Sequence, residues 1–232
     1  LMKLRLVTPA TLIDVTHIKE LSYIKEDGNN IVIGALTRHR DIEESDLVKK
    51  HLPLVAHVAG EVGDPQVRNR GTIGGSLVHG DPAADLPAAA LATGATMVIA
   101  GKNGERRISA QDFFVGPDVN ITSMTSLEEG EILTAVRLPN EWANAEYYFE
   151  KVADRNVWDF ALVSISAAMK VSNGVIEDSR IACGAVECVP RRLDDVENAL
   201  RGQQRSEQLA EQVAAIASEG AEPLNYNHFK IP

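Results

Sequence analysis

The chain has 232 residues, 44% of them hydrophobic and 24% charged, enough apolar material to bury a core in one large domain or two smaller ones. A net charge of −10, with basic residues tightly clustered only at Arg68 and Arg70, Arg106 and Arg107, and Arg191 and Arg192, excludes a nucleic-acid surface, which needs massed cations. No stretch approaches the roughly 18 apolar residues of a membrane span, the opening LMKLRLV lacks the h-region and cleavage site of a signal peptide, and two cysteines cannot staple a secreted fold of this size, so a soluble, cytoplasmic protein is expected. A start on Leu1 rather than on methionine is what a fragment shows.

In chain order, LSYIKE and IVIGAL (residues 31 to 36) flank the turn signal DGNN and predict a hairpin. Thr37 is placed to cap a helical stretch, and HLPLVAHVAGEV, from 51 to 62, has apolar residues at helical spacing. Asp81 followed by Pro82 reads as an N-cap with proline in the first helical position, leading into DLPAAALA. ATMVIAG, KNGE and RRIS predict a second hairpin, PDVNITSMTSLEEG a loop, and EILTAVRLP a strand. After Asn140, YYFEKVA, FALVSISAAMKV and VIEDSRIACGAV predict a three-stranded antiparallel sheet, followed by helices in RRLDDVENALRG and SEQLAEQVAAIASEG. The fold class is α+β, with a domain boundary between residues 140 and 141.

The segment VRNRGTIGGSLVHGDPAADLP, from 67 to 87, carries the chemistry. Gly74 and Gly75 lack Cβ atoms, so the backbone there is free to turn left-handed and to admit an anion against its amides; Thr72 and Ser76 add hydroxyl donors. Without further context, a glycine pair is more often a tight strand-to-helix turn. Asp85 has two readings of equal weight: a carboxylate favoured by the start of a helix, or an acceptor for the vicinal hydroxyls of a ribose. Lone His79 reads as a hydrogen-bonding loop residue. Cys183 and Cys188 give only half of a four-thiolate iron-sulfur pattern and read as structural. No H-E-x-x-H, G-x-S-x-G or P-loop spacing occurs.

The run QVRNRGTIGGSLVHGDPAADLPAAALATGA closely resembles the second flavin-binding segment of the FAD-binding (medium) subunit of molybdenum-containing hydroxylases, the family of the carbon monoxide dehydrogenase medium subunit and the xanthine dehydrogenase FAD domain. IVIGALTRHRDIEES, EEGEILTAVRLP, EKVADRNVWDFALVSISAAM and RIACGAVECVPRRLDDVENALRG match further segments in the family's order. The resemblance implies an FAD-binding domain of the PCMH, or vanillyl-alcohol-oxidase-like, type over residues 1–140. A carbon monoxide dehydrogenase flavoprotein-like C-terminal domain would follow over 141–232. It also implies a first glycine-rich loop, in a preceding unit of roughly 50 residues, against the other side of the pyrophosphate; this first subdomain is missing before Leu1. At the other end, HFKIP stops where relatives continue into a last helix.

Carried over to this chain, the resemblance implies that Thr72, Ile73, Gly74, Gly75 and Ser76 cradle the FAD pyrophosphate, and that Asp85 binds the adenosine ribose. Leu133 would pack near the adenine or flavin. Lys151, otherwise a solvated lysine at a strand end, would lie by the isoalloxazine and stabilise negative charge on it. Asp159 matches a family position with no role assigned. The implied function is electron transfer: FAD on this chain takes electrons from a small iron-sulfur subunit, fed by a large molybdenum subunit, and passes them to an external acceptor. A flavin suits this junction because it handles one- and two-electron steps, and no catalytic side chain is required. Molybdenum cofactor and iron-sulfur clusters would belong to those partners alone. Two alternatives stand beside it: a flavin-free docking module of such a complex, and a self-contained FAD-dependent reductase.

Overall fold

Residues 2–231 are described here in a computed structural model. The first hairpin pairs β1 (Ile24–Asp27) with β2 (Asn30–Gly34), joined by Gly28 in a left-handed conformation and Asn29. Three helices follow, α1 (His39–Glu44), α2 (Asp46–His51) and α3 (Pro53–Glu61). Ser45 caps α2 by accepting from the Val48 N–H, and Pro53 opens α3, where a missing N–H costs nothing. The expected cap at Thr37 does not form. Its hydroxyl accepts from the Tyr23 N–H at 3.1 Å and donates to the Tyr23 carbonyl at 3.0 Å, so it ties the hairpin to the chain entering α1. Arg38 occupies the cap position without a side-chain bond.

Short α4 (Pro65–Arg68) and α5 (Ile73–His79) lead into α6 (Asp85–Ala92). The second hairpin, β3 (Thr96–Gly101) and β4 (Gly104–Ser109), forms as its KNGE turn predicts, followed by α7 (Ala110–Phe113), the expected loop, and β5 (Ile132–Pro139). β5 enters the middle of an antiparallel sheet of order β1-β2-β5-β3-β4. Alternation decides its faces. Ile31, Ile33, Met97, Ile99, Val136 and Leu138 join the main core under the helices, while Val32, Val98 and Ala135 form a small cluster on the opposite face.

The second sheet holds β6 (Glu146–Val152), β7 (Val163–Ser172) and β8 (Val175–Gly184), the three strands expected. A two-residue strand, β9 (Arg191–Arg192), extends it to four. Two residues carry too little alternation to be read from sequence. Both C-terminal helices appear, α8 (Asp194–Leu200) and α9 (Glu207–Ala217), and pack Val196, Leu200, Leu209 and Val213 onto Ile176 and Ile181. Buried Glu197 on α8 accepts from the Ile181 N–H and from two Arg192 nitrogens, at 2.7 to 2.9 Å, which locks helix to sheet.

All eight residues of α6 are buried, because the helix packs on α3 and also on β7 and β8. A helix apolar all round is one enclosed on all sides, and α6 thereby joins the helical layer to the second sheet. Its start differs from the expectation. Gly80 ends α5 in a left-handed conformation, the Asp81 carboxylate then accepts from the Ala83 N–H at 2.9 Å, and helix begins only at Asp85. Asp81 therefore shapes a tight turn instead of capping, and Asp85, expected a turn inside, is the first helical residue. No described helix is long and apolar enough to cross a membrane.

Candidate functional site

Several parts of the chain converge on one cleft of about 1000 Å³, the upper end of ligand-site volumes. They include the end of β2, the start of α1, the chain after α3, the α4–α5 connection with α5, the start of α6, the start of β5, and the loop between β6 and β7. Thr72, Gly74, Gly75, Ser76, Asp85 and Leu133 all line it.

The glycine pair is helical, not a left-handed turn. Thr72 caps α5 through its hydroxyl, which accepts from the Gly75 N–H at 3.2 Å, and neither glycine has positive φ. Gly74 is required for close approach. A Cβ there would lie 2.6 Å from both the Ala35 Cβ and the Ala35 carbonyl oxygen, since α5 sits directly on the chain leaving β2. The Gly74 N–H donates to Ala35 O at 2.8 Å and the Ile73 N–H to Thr37 O at 3.0 Å. Three amides expected to face an anion are thus already occupied. Donors that remain are the Thr72 N–H and the Thr72 and Ser76 hydroxyls, none of which donates to a partner among the described residues. Ile73 is buried in the core and is absent from the cleft wall, so its part is to anchor α5. Removing the cap by Thr72→Ala should cost about 1 kcal/mol, read as a lower thermal midpoint with the fold retained.

Asp85 and Lys151, which the resemblance assigns to opposite ends of a cofactor, touch each other. Lys151 Nζ lies 2.8 Å from Asp85 Oδ2 and also donates to the Glu61 carbonyl at 3.2 Å. The Asp85 side chain is buried at 6% exposed, and that of Lys151 is nearly so at 12%. Asp85 Oδ1 is buried with no hydrogen-bond partner among the described residues. Burial pushes the Asp85 carboxyl up to about 6; Lys151 draws it down, and Glu61 adds a smaller upward push. A half-satisfied buried carboxylate beside a cleft is a binding group waiting for an N–H or O–H donor.

Several lining residues carry no signal in sequence. His39, on α1, is 3% exposed with Nδ1 unpartnered among the described residues, and burial together with the Arg68 cation lowers its pKa to about 4, so it is neutral at neutral pH. Arg70 borders the cleft without an ion pair among the described residues. Trp158 and Phe160 line it from the β6–β7 loop, where Trp158 has φ +56°, a conformation that costs a bulky residue about 1–3 kcal/mol. Asp159 accepts from Arg155 and from the Phe160 N–H, which braces that loop; the Arg155 bond holds its carboxyl below the usual range. His79, expected as a hydrogen-bonding loop residue, is instead the last residue of α5; it is exposed, lines the cleft, and lies 3.9 Å from Asp81 with no side-chain hydrogen bond among the described residues. Cys183 and Cys188 are free, one half-buried on β8 and the other exposed.

Residues 1–141 match the family described as FAD binding domain in molybdopterin dehydrogenase, and residues 147–228 the CO dehydrogenase flavoprotein C-terminal domain. The chain is 36% identical to the glyceraldehyde dehydrogenase medium chain of Sulfolobus acidocaldarius, over 96% of this chain and 77% of that one. Among solved structures it resembles carbon monoxide dehydrogenase from Hydrogenophaga pseudoflava, at TM-score 0.92 and 38% identity, covering 99% of this chain and 79% of the other. It is likewise similar to quinoline 2-oxidoreductase from Pseudomonas putida 86, at TM-score 0.90 and 33% identity, with 99% and 79% coverage. The α+β architecture, the cleft and these matches agree: the chain belongs to the FAD-binding medium subunits of molybdenum hydroxylase-type dehydrogenases, and is an oxidoreductase component.

Proposed function

We propose that the cleft holds FAD and that this chain is the electron-transfer subunit of a heteromeric molybdenum hydroxylase, located in the cytoplasm. The observation that carries the reading is the convergence of hydroxyl donors, the half-satisfied buried carboxylate of Asp85 and aromatic side chains in one cleft of cofactor size, with Lys151 paired to Asp85 behind the cleft wall. Thr72, Ser76 and Arg70 supply donors and charge for the pyrophosphate; Gly74 and Gly75 keep the wall low enough for it to approach; Ile73 anchors the helix that presents them. Leu133 contributes an apolar wall beside a ring. Because Asp85 and Lys151 form one unit, they serve one end of the cofactor. The acceptor of Asp85 Oδ1 and the cation of Lys151 suit the isoalloxazine edge, where an N–H lies between carbonyl oxygens, better than a ribose.

FAD when bound supplies the exchange between one- and two-electron carriers. The chain's own residues position it, hold a positive charge at its polar edge and exclude water from one side. A large molybdenum subunit and a small iron-sulfur subunit would complete the path. The division into residues 1–140, the FAD-binding domain, and 141–232, the C-terminal domain, is supported by family matches that end at 141 and resume at 147.

Removal of FAD from the purified complex tests the electron-transfer role. Substrate-dependent reduction of the physiological acceptor should vanish and return with added FAD, while reduction of a one-electron dye that draws on the iron-sulfur centres persists. Unchanged acceptor reduction in the flavin-free complex would leave this chain as a docking module.

Gly75→Asp separates binding from folding. A Cβ at Gly75 meets only the Thr72 hydroxyl, at 3.0 Å, and aspartate three residues after the cap favours a helix start. The variant should melt close to the parent, yet hold FAD at least about tenfold more weakly, a loss of about 1.4 kcal/mol, because a carboxylate stands where a pyrophosphate must. Equilibrium titration of FAD against both proteins reads the difference.

A further inference from the structure

Trp158 is an unusual residue for its place. It lies in the left-handed region at φ +56°, where a glycine would be at ease, and its ring is 62% exposed, so burial within the chain does not compensate the strain. The conformation is imposed from both sides. The Trp158 N–H donates to the Gly63 carbonyl at 3.1 Å, and the Trp158 carbonyl accepts from Arg155 at 3.1 Å. Arg155 is itself paired with Asp159 at 3.4 Å, and Leu162 closes the loop by donating to the Val152 carbonyl at 2.7 Å. Strain that the surroundings enforce and that buries nothing marks a side chain presented to something outside the chain.

The same contacts place that ring. Gly63 follows the last turn of α3, whose Glu61 carbonyl accepts from Lys151, and Lys151 pairs with Asp85. Trp158 therefore stands at the Asp85–Lys151 end of the cleft, next to Phe160, which is 59% exposed and lines the same wall. Asp85 and two exposed aromatic side chains line the cleft there, with the Lys151 cation paired to Asp85 behind them. Flat heteroaromatic rings with a polar edge satisfy that combination, since indole and phenyl faces stack on other rings at a worthwhile gain.

We propose that Trp158 is a cofactor-stacking residue, held in its strained conformation so that its indole covers the outer face of the FAD isoalloxazine. The inference rests on the FAD reading above and extends it to a residue that sets how much of the flavin the solvent and the electron acceptor can reach.

Flavin emission is the test, because an indole or phenol in contact with an excited flavin quenches it by donating an electron, whereas a phenyl ring does not. It is measured on the intact protein carrying its FAD, with flavin content read separately from absorbance. Emission should be strongly quenched in the parent and in Trp158→Tyr, and should rise several-fold in Trp158→Phe and Trp158→Gly. Trp158→Gly should also melt no lower than the parent, since glycine relieves the strained φ. Bound flavin whose emission is the same in all four proteins would overturn the stacking role while leaving the FAD reading intact. Failure of the parent to take up FAD at all would overturn both.

Discussion

Replacement of Gly74 by alanine is expected to lower stability by about 2–4 kcal/mol, although alanine is the better helix former. The added methyl would lie 2.6 Å from the Ala35 carbonyl oxygen and Cβ and 2.9 Å from its Cα, so the obstruction includes backbone and cannot rotate away. Moving α5 outward stretches two short bonds, Gly74 N–H to Ala35 O and Ile73 N–H to Thr37 O. Overpacking of this kind costs about 1–3 kcal/mol, and each weakened hydrogen bond adds about 1 kcal/mol. The helix propensity gained by replacing glycine returns about 1 kcal/mol. For a chain of this length the net should appear as a midpoint about 5–10 °C lower in a thermal melt. FAD retention should fall with it, because the donors on Thr72 and Ser76 shift with the helix. An unchanged midpoint would mean that α5 does not sit against β2 as described.

The second large effect concerns Lys151→Met. The substitution leaves the Asp85 carboxylate, 6% exposed, without its only ionic partner among the described residues, and breaking a buried pair from one side typically costs about 3–5 kcal/mol. The loss should depend on pH. In the parent, burial already holds the Asp85 carboxyl near 6 against an ordinary value of 3.8, so the folded state binds a proton that the unfolded state has released. Stability therefore falls as pH rises from about 4 to about 6, by about 3 kcal/mol, and stays level above that window. Without the lysine the carboxyl moves further up, and the decline continues to higher pH. Denaturant unfolding at pH 5 and pH 8 should show a small difference between variant and parent at the lower pH and a large one at the higher. Equal losses at both would mean that Asp85 is not the buried titrating group.

Most of the fold is legible in the chain because its elements announce themselves locally. DGNN and KNGE set both hairpins, Pro53 opens α3, and the three-residue spacing in RRLDDVENALRG and SEQLAEQVAAIASEG gives α8 and α9. What is not legible depends on distant contacts. Thr37 has the composition of a cap but is taken by Tyr23, and Asp81 before Pro82 has the signature of a helix start but spends its carboxylate on Ala83. Strand β9 exists only because β8 offers it an edge.

At the site, the TIGGS and DPAADLP segments identify a stretch that lines the cleft, and Leu133 lines it too. They do not reveal that Gly74 is needed for contact with Ala35 rather than for a turn, since helical glycine and turn glycine look alike in a sequence. The pairing of Asp85 with Lys151 spans 66 positions and has no local signature. Neither has the positive φ of Trp158, imposed by Gly63 from elsewhere in the chain.

The central claim, that this cleft is a flavin site, is tested most directly by the visible absorbance spectrum of the intact protein after purification with excess FAD and removal of the unbound cofactor. The account predicts flavin bands corresponding to one FAD per chain, reduced to a minor fraction in Gly75→Asp under the same washing. A colourless parent protein with a normal thermal melt would contradict it.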